Sequence, residues 1–464
     1  MSNKSKSYKK SAPRVYIQTF GCQMNKYDSE VMRSLLLKRG YQFTDNWKEA
    51  DVILVNTCSV RQHAEDRVYS YLGKWGKYKE EKRPELIIGV CGCMAQKEGM
   101  NLVERMPCID LVCGTHSIPL IHELISDLEK GGGRRIELSE DFDNFPPPVY
   151  EAKESKISAW VVIMRGCENY CSYCVVPYVR GKEVSRPPED IADEVRRLAD
   201  EGVKEVTLLG QNVNSYKINQ YSTLSTEGDF SSLLERINRI EGIERIRFAT
   251  SHPKDMSTET IEAIRSLPKV CEHIHLPVQS GSDKILRLMN RKYTRNQYRE
   301  LVSTIREAIP EVSVTTDIIV GFPQETEEDF MDTYELLKEI QFDASFIFKY
   351  SPRAGTKAYE MEDDVPEEVK RERLNTLLSL QKRISQRINE KLTGTQVEIL
   401  VDGYESRPSV SFVAGREAKS QSKLFGKTLT FKSVSFGGDE KVIGKLVNVK
   451  ITQVRYGLLE GVIV

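Results

Sequence analysis

Short apolar runs alternate with helical patterns between residues 14 and 355, and this alternation confines most of the chain to a parallel α/β architecture. In the first segment, residues 14–130, Arg14–Phe20 reads as a strand and Tyr27–Lys38 as a helix with Val31, Met32, Leu35 and Leu36 on one side. Asp51–Asn56, Glu85–Val90 and Ile109–Val112 read as further buried strands, with a helix from about Arg61. The second segment, residues 153–390, repeats the pattern with strands at Trp160–Met164, Glu205–Leu209, Arg245–Phe248, Glu272–Leu276, Ser313–Val320 and Ala344–Phe348. Six such units predict a partial TIM-like (β/α)6 barrel, open on one side. A charged helix follows over Glu367–Leu392, with Leu374, Leu377, Ile384 and Ile388 on one side. From 391 to 464 the pattern changes to short β runs separated by Asp402-Gly403 and Gly437-Gly438-Asp439, which predicts a small all-β barrel. Gly131-Gly132-Gly133 and Phe145-Pro146-Pro147-Pro148 break the chain between the first two segments. The expected fold is α/β: an N-terminal open parallel sheet domain, a central open barrel and a C-terminal β barrel.

The chain has 464 residues, enough for several cores. Its formal net charge is -1, so any affinity for nucleic acid must come from local patches. Residues 391–464 hold 11 Lys/Arg against 7 Asp/Glu, a net of +4. Tyr404, Phe412, Phe425 and Tyr456 there are available for base stacking, although a solvated face over an ordinary core would look the same. No apolar stretch is long enough to span a membrane, and the polar, basic N-terminus has no secretory h-region. A cytoplasmic protein with a disordered N-terminal tail is expected. In a reducing compartment its ten cysteines are ligands or buried thiols rather than disulfides.

Cys167, Cys171 and Cys174 stand in Arg165-Gly-Cys-Glu-Asn-Tyr-Cys-Ser-Tyr-Cys. A C-x3-C-x2-C run with no fourth Cys or nearby His can hold three irons of a 4Fe–4S cubane and leave the fourth open to a small chelating molecule. A zinc site would normally supply four ligands, commonly from two C-x2-C pairs. Cys22, Cys58 and Cys93 each follow a predicted strand, in Thr19-Phe-Gly-Cys-Gln-Met-Asn, Asn56-Thr-Cys-Ser-Val-Arg and Gly92-Cys-Met-Ala-Gln. The carboxyl edge of a parallel sheet is where such residues converge on a ligand, so a second three-cysteine cluster site is expected there. Unrelated buried thiols are the competing reading. Cys91 is two residues from Cys93 and, if both lie in the strand, faces the same side, so it is the rival ligand. Cys108, Cys113 and Cys271 read as core thiols.

The C-x3-C-x2-C run, with Tyr173 before its last cysteine, resembles the signature of radical S-adenosylmethionine enzymes. Together with the three N-terminal cysteine motifs, Val179-Arg-Gly-Lys-Glu-Val-Ser-Arg-Pro, Leu208-Leu-Gly-Gln-Asn-Val-Asn-Ser-Tyr, His275-Leu-Pro-Val-Gln-Ser-Gly-Ser, Met289-Asn-Arg-Lys-Tyr-Thr, Thr316-Asp-Ile-Ile-Val-Gly-Phe-Pro and Tyr350-Ser-Pro-Arg-Ala-Gly-Thr, it makes the chain similar to the methylthiotransferases from about residue 14 to the end. The terminal barrel resembles a TRAM domain, an RNA-binding module of that family. Gln23-Met24-Asn25 and Ser59-Val60-Arg61 favour the branch that acts on N6-isopentenyladenosine of tRNA over those acting on threonylcarbamoyladenosine or a ribosomal protein. A non-catalytic iron–sulfur RNA-binding protein is the alternative from another class.

The resemblance implies two 4Fe–4S clusters and two molecules of S-adenosylmethionine per product. Cys167, Cys171 and Cys174 would hold the radical cluster, whose cofactor yields a 5′-deoxyadenosyl radical. Cys22, Cys58 and Cys93 would hold an auxiliary cluster that supplies sulfur to adenine C2. Tyr173, Gln211, Ser251, Gln279 and Asp317 are the expected cofactor or substrate contacts; Gln211, Gln279 and Asp317 could equally be loop hydrogen-bonding residues. His252 and His275 are expected to be structural, since no second ligand is spaced to join them. Arg165, Arg180, Lys182 and Arg186 either steer an anionic substrate or pair with nearby acids. The implied partners are the tRNA anticodon stem-loop, an electron donor such as flavodoxin and cluster-assembly proteins, with the enzyme a monomer. The family pattern has Gly where this chain has Gln324, so that loop's backbone is expected to differ.

Overall fold

The computed structural model describes residues 12–59, 62–139, 157–217, 228–404, 412–413, 416–417, 423–455 and 457–464. The expected N-terminal tail, the Phe145–Pro148 breaker, Val60, Arg61 and Tyr456 lie outside them, as does the Phe412 side chain. Two compact units form: residues 1–154 with 175–184, and residues 155–174 with 185–464.

The first unit is built on a six-stranded parallel sheet in the order β2-β1-β3-β4-β5-β6. Its strands are β1 (Arg14–Phe20), β2 (Gln42–Phe43), β3 (Val52–Thr57), β4 (Ile87–Gly92), β5 (Leu111–Cys113) and β6 (Arg135–Glu137). Every residue of β3 is buried, which is why it reads as a continuous apolar run rather than an alternation. Ile53, Val55, Ile88, Val90 and Val112 form its core with Trp75 and Leu72 from the helix Gln62–Lys82. The edge strands β2 and β6, two and three residues long, carry no such run and escape a sequence reading. Phe20 lies opposite Thr57, and Thr57 opposite Gly92, so β1, β3 and β4 end level with one another.

In the second unit six parallel strands follow chain order: Ser158–Val162, Glu205–Leu209, Arg245–Phe248, His273–His275, Ser313–Val320 and Ala344–Lys349. They form two three-stranded sheets, joined where Ile246 pairs with Val270 just ahead of the fourth strand. The outward residues Val206, Leu208, Ile246, Ile274, Val314, Ile318 and Ile347 build one large core with the surrounding helices. The helix Glu367–Glu390 covers the last strand: Leu377 and Ile384 are buried, and Ser345 Oγ donates to Gln381 Oε1 at 2.7 Å. Inward residues are unusually polar and include Glu205, Arg245, Arg247, His273, His275, Thr315 and Asp317.

A closed five-stranded barrel ends the chain, with Ile399, Val401, Leu424, Val434, Phe436 and Leu459 at its centre. It is docked on the amino-terminal mouth of the open barrel. Arg245 donates to Lys427 O at 2.5 Å and to Glu398 O at 3.2 Å, and Arg247 to Thr428 O at 2.7 Å. His273 stacks on Phe431 at 4.8 Å. Both arginines are buried, so the barrel's backbone carbonyls solvate charges that would otherwise be stranded.

Gln324 keeps a positive φ of 68°. The loop therefore retains a glycine-like backbone, held by Asp364 Oδ1 on the Gln324 N–H at 2.7 Å and by Lys284 Nζ on its carbonyl at 2.7 Å.

Candidate functional site

Two cysteine trios lie at carboxyl ends of parallel strands, one in each unit. In the first unit Cys22 is the N-cap of the helix Gln23–Leu37, Cys58 directly follows β3, and Cys93 is the first residue of the helix Cys93–Glu98. Cys58 N–H donates to Phe20 O at 3.1 Å, which pins the second cysteine to the end of the first strand.

Two glycines make room for the trio. A Cβ on Gly21, φ 130°, would lie 2.4 Å from Cys58 Cβ; one on Gly92, φ 87°, would lie 2.2 Å from Asn56 Oδ1. Neither position admits another residue, because both backbone angle and space forbid it. Two fully buried asparagines brace the loops. Asn56 Nδ2 donates to Asn25 O at 2.7 Å and to Ser29 Oγ at 3.0 Å, and Asn25 Nδ2 donates to Asn56 Oδ1 at 3.1 Å. Cys22 Sγ donates to Asn25 Oδ1 at 3.3 Å.

The trio is also electrostatically connected. A hydrogen bond from Cys58, aided by Arg180 and the N–H groups of Met24 and Asn25, brings the Cys22 thiol down to about 6 against the effect of burial. Burial pushes the Cys93 thiol up, and the Arg180 guanidinium opposes that rise. Arg180 is itself buried and paired with buried Asp28 at 2.6 Å. Burial works against its charge, but Asp28, Cys93 and Cys22 outweigh it and push its pKa above that of an ordinary guanidinium.

Cys91 goes elsewhere. It lies inside β4, opposite Cys113 of β5, and a hydrogen bond from Cys91 followed by burial drives the Cys113 thiol upward. The strand rule that puts Cys91 and Cys93 on one side fails because Gly92 turns the chain through a positive φ between them.

In the second unit the loop after the first barrel strand carries Cys167, Cys171 and Cys174, all half-buried. Gly166, φ 78°, and Tyr170, φ 45°, bend it, and Cys174 N–H donates to Cys171 O at 3.0 Å. Asn169 Nδ2 donates to Cys167 Sγ at 3.3 Å and Arg291 Nη1 to Cys171 Sγ at 3.4 Å, so two thiols already have donors suited to a thiolate. Asn290 Nδ2 grips Tyr170 O at 2.8 Å, and Ser172 binds Met289 O at 3.0 Å through its N–H and Leu288 O at 2.8 Å through its hydroxyl. Tyr173 sits between Cys171 and Cys174 electrostatically; burial, then Cys171, raises its phenol. It packs against Ile285, Met289, Phe322, Tyr350 and Ala358.

The other candidate contacts divide. Gln211 Oε1 accepts from Gly166 N–H at 2.5 Å and so holds the cysteine loop. Gln279, φ 71° and buried, bridges the fifth strand by backbone: its N–H donates to Asp317 O and its carbonyl accepts from Ile319 N–H, both at 2.9 Å. Asp317 Oδ2 lies 3.4 Å from His275 Nε2. Ser251 is buried and its Oγ has no hydrogen-bond partner among the described residues. His252 is structural: its Nδ1 accepts from Lys254 N–H at 3.2 Å, and burial, then Arg291, pushes its pKa down to about 2. Arg186 pairs with buried Glu194 at 2.6 Å, so like Arg180 it is tied to an acid rather than offered to a substrate.

Asn25, Asn56, Asp28, Asn169, Asn290 and Arg291 carry much of this geometry beyond the expected site residues. Their signal was position: each stands within a few residues of a cysteine or in the Met289–Thr294 run. Among the described residues no three His, Cys, Asp or Glu side chains converge closely enough to hold a single metal ion. A cubane instead needs thiolates spread around it, and the glycine cradle, the acidified Cys22 and the Asn169 and Arg291 donors fit one at each trio.

An open (β/α)6 barrel with three cysteines on its first strand–helix loop defines the radical S-adenosylmethionine class. Family models agree: the Radical SAM superfamily matches residues 161–337, the Uncharacterized protein family UPF0004 residues 14–114, and the TRAM domain residues 413–464. The fold is similar to that of a radical S-adenosylmethionine methyltransferase, TsrM, from Kitasatospora setae, with a TM-score of 0.55, 16% identity and 75% and 77% of the two chains covered. A relative from Thermoanaerobacter pseudethanolicus, a tRNA-2-methylthio-N(6)-dimethylallyladenosine synthase, is 49% identical over 97% of this chain and 92% of its own. One of the same name from Acetivibrio thermocellus is 46% identical over 100% and 93%. The chain belongs to the tRNA-2-methylthio-N(6)-dimethylallyladenosine synthase family of methylthiotransferases.

Proposed function

We infer that the protein methylthiolates C2 of N6-isopentenyladenosine at position 37 of tRNA. The observation that carries this is 49% identity over 97% of the chain to a synthase of that name, in a chain that keeps two separate cysteine trios. Adenine C2–H has no acidic proton for a base to remove, so a cofactor must supply the reactivity. When bound, two 4Fe–4S clusters and S-adenosylmethionine supply hydrogen abstraction, sulfur and the methyl group.

The chain's own residues bind, place and insulate. Cys167, Cys171 and Cys174 would hold the radical cluster, with Asn169 and Arg291 donating to the sulfurs of Cys167 and Cys171. Cys22, Cys58 and Cys93 would hold the auxiliary cluster, with Arg180 setting a positive charge beside it. Tyr173 fills the apolar back of the radical site, and Gln211 fixes the start of its loop. Ser251, whose buried hydroxyl has no hydrogen-bond partner among the described residues, is a contact for cofactor or substrate, as are Gln279 and Asp317. No described helix is long and apolar enough to cross a membrane. Action on the anticodon stem-loop as a cytoplasmic monomer, with a flavodoxin-type electron donor and cluster-assembly partners, completes the reading.

Mass spectrometry of tRNA nucleosides from a deletion strain tests it. Loss of 2-methylthio-N6-isopentenyladenosine, with N6-isopentenyladenosine accumulating and the chain's gene restoring product, is expected. Unchanged product, or loss of the threonylcarbamoyl derivative instead, would overturn it.

A further inference from the structure

The last barrel strand, Ala344–Lys349, shows two phenylalanines to solvent. Phe346 is 55% and Phe348 is 41% exposed, and among the described residues no other large hydrophobic side chain on the six barrel strands is so exposed. The intervening Ile347 is buried in the outer core, and Ser345 reaches the outer helix, so Phe346 and Phe348 face the barrel interior. Among the described residues this strand pairs only with the fifth, so its other edge borders the open side of the barrel. Asp317 is the register partner of Phe346 and Ile319 that of Phe348. His275 meets Phe346 edge-on at 5.9 Å and lies 3.4 Å from Asp317. Two residues beyond Phe348, Tyr350 packs in the same apolar group as Tyr173, the residue between two radical-site cysteines. The ring pair thus forms an apolar wall running from the radical site down the open side.

Exposed phenylalanines need an occupant, since an apolar surface in a polar-lined cleft marks a ligand contact. The substrate proposed above differs from plain adenosine by a branched five-carbon hydrocarbon on N6, on the far side of ring N1 from the reacting C2. We propose that Phe346 and Phe348 receive this dimethylallyl group and select tRNA that carries it. The proposal rests on the tRNA reading and deepens it. Chemistry on the page also favours this group over the threonylcarbamoyl one: a carboxylate placed here would lose hydration against two rings and lie beside Asp317.

The test compares tRNA with and without the dimethylallyl group, using reconstituted full-length protein. Wild type should bind the prenylated form about 10- to 100-fold more tightly, the range a hydrophobic pocket gives for a small apolar group. In Phe346→Ala/Phe348→Ala that preference should fall to within about threefold, while affinity for unprenylated tRNA and cofactor cleavage without tRNA stay unchanged. Phe348→Leu, which keeps apolar bulk, should retain most of the preference and guards against a folding defect in the double variant. A variant that keeps the full preference refutes the proposal. So does one that loses affinity for both tRNAs equally, since the rings would then stack bases, or one that raises the cofactor KM, since they would then belong to the cofactor. Wild type with no preference and no methylthiolation would instead refute the underlying tRNA reading.

Discussion

Replacing Arg180 by Met removes the buried guanidinium that pairs with the Asp28 carboxylate. The pair is joined at 2.6 Å, and its side chains are 3% and 0% exposed, so water cannot take the arginine's place. Breaking one side of such a pair costs about 3–5 kcal/mol. Both residues lie in the first unit, which also holds Trp47 and Trp75. Urea unfolding followed by tryptophan fluorescence in a Trp160→Phe background therefore reports this unit. Arg180→Met should lower its stability by that amount. The double change Asp28→Asn/Arg180→Met should recover more than half of the loss, because the buried carboxylate's charge goes together with the guanidinium's. A loss below about 1 kcal/mol, the value of a surface pair, would refute the buried geometry.

In the cluster-free protein, alkylation of Cys22 should be half-maximal near pH 6, since its thiolate is favoured above that value, whereas Cys93 should stay protonated and slow to much higher pH; mass-mapped iodoacetamide labelling across pH checks this. Cys91→Ser should retain methylthiolation and Cys93→Ser should lose it, the reverse placing the ligand inside β4 rather than after it. Gln324→Gly should raise the stability of the second unit by roughly 0.5–1 kcal/mol, as relief from a positive φ exceeds the entropy lost by glycine; a thermal scan showing destabilisation would contradict the strain.

Much of the barrel and of the first sheet was legible because buried parallel strands are uninterrupted apolar runs. Arg245–Phe248, Glu205–Leu209 and Ser313–Val320 have the expected limits to the residue. Cys22, Cys58, Cys93 and Cys167 could be placed at strand ends because each follows such a run by two or three residues. What stayed hidden depends on contacts between distant residues. Arg291 reaches Cys171 across 120 positions, and the run it stands in does not say which side chain it meets. Arg180 stands in the sequence beside the cluster run, with either an anionic substrate or a nearby acid to meet, and its partner, Asp28, is 152 residues away. The turn at Gly92 that separates Cys91 from Cys93 is a backbone angle, which a period-two count does not contain. Docking of the terminal barrel was also illegible. Removing residues from about 395 onward would strip buried Arg245 and Arg247 of their carbonyl partners, so such a truncation perturbs the open barrel as well as RNA binding.

Iron content after anaerobic reconstitution of wild type, Cys58→Ala and Cys174→Ala tests most directly whether one chain holds two independent clusters. The account predicts about eight irons in wild type and about four in each variant, as each cubane has its own thiolates. Full iron in Cys58→Ala, or loss of nearly all iron in either variant while the protein stays folded, would contradict it.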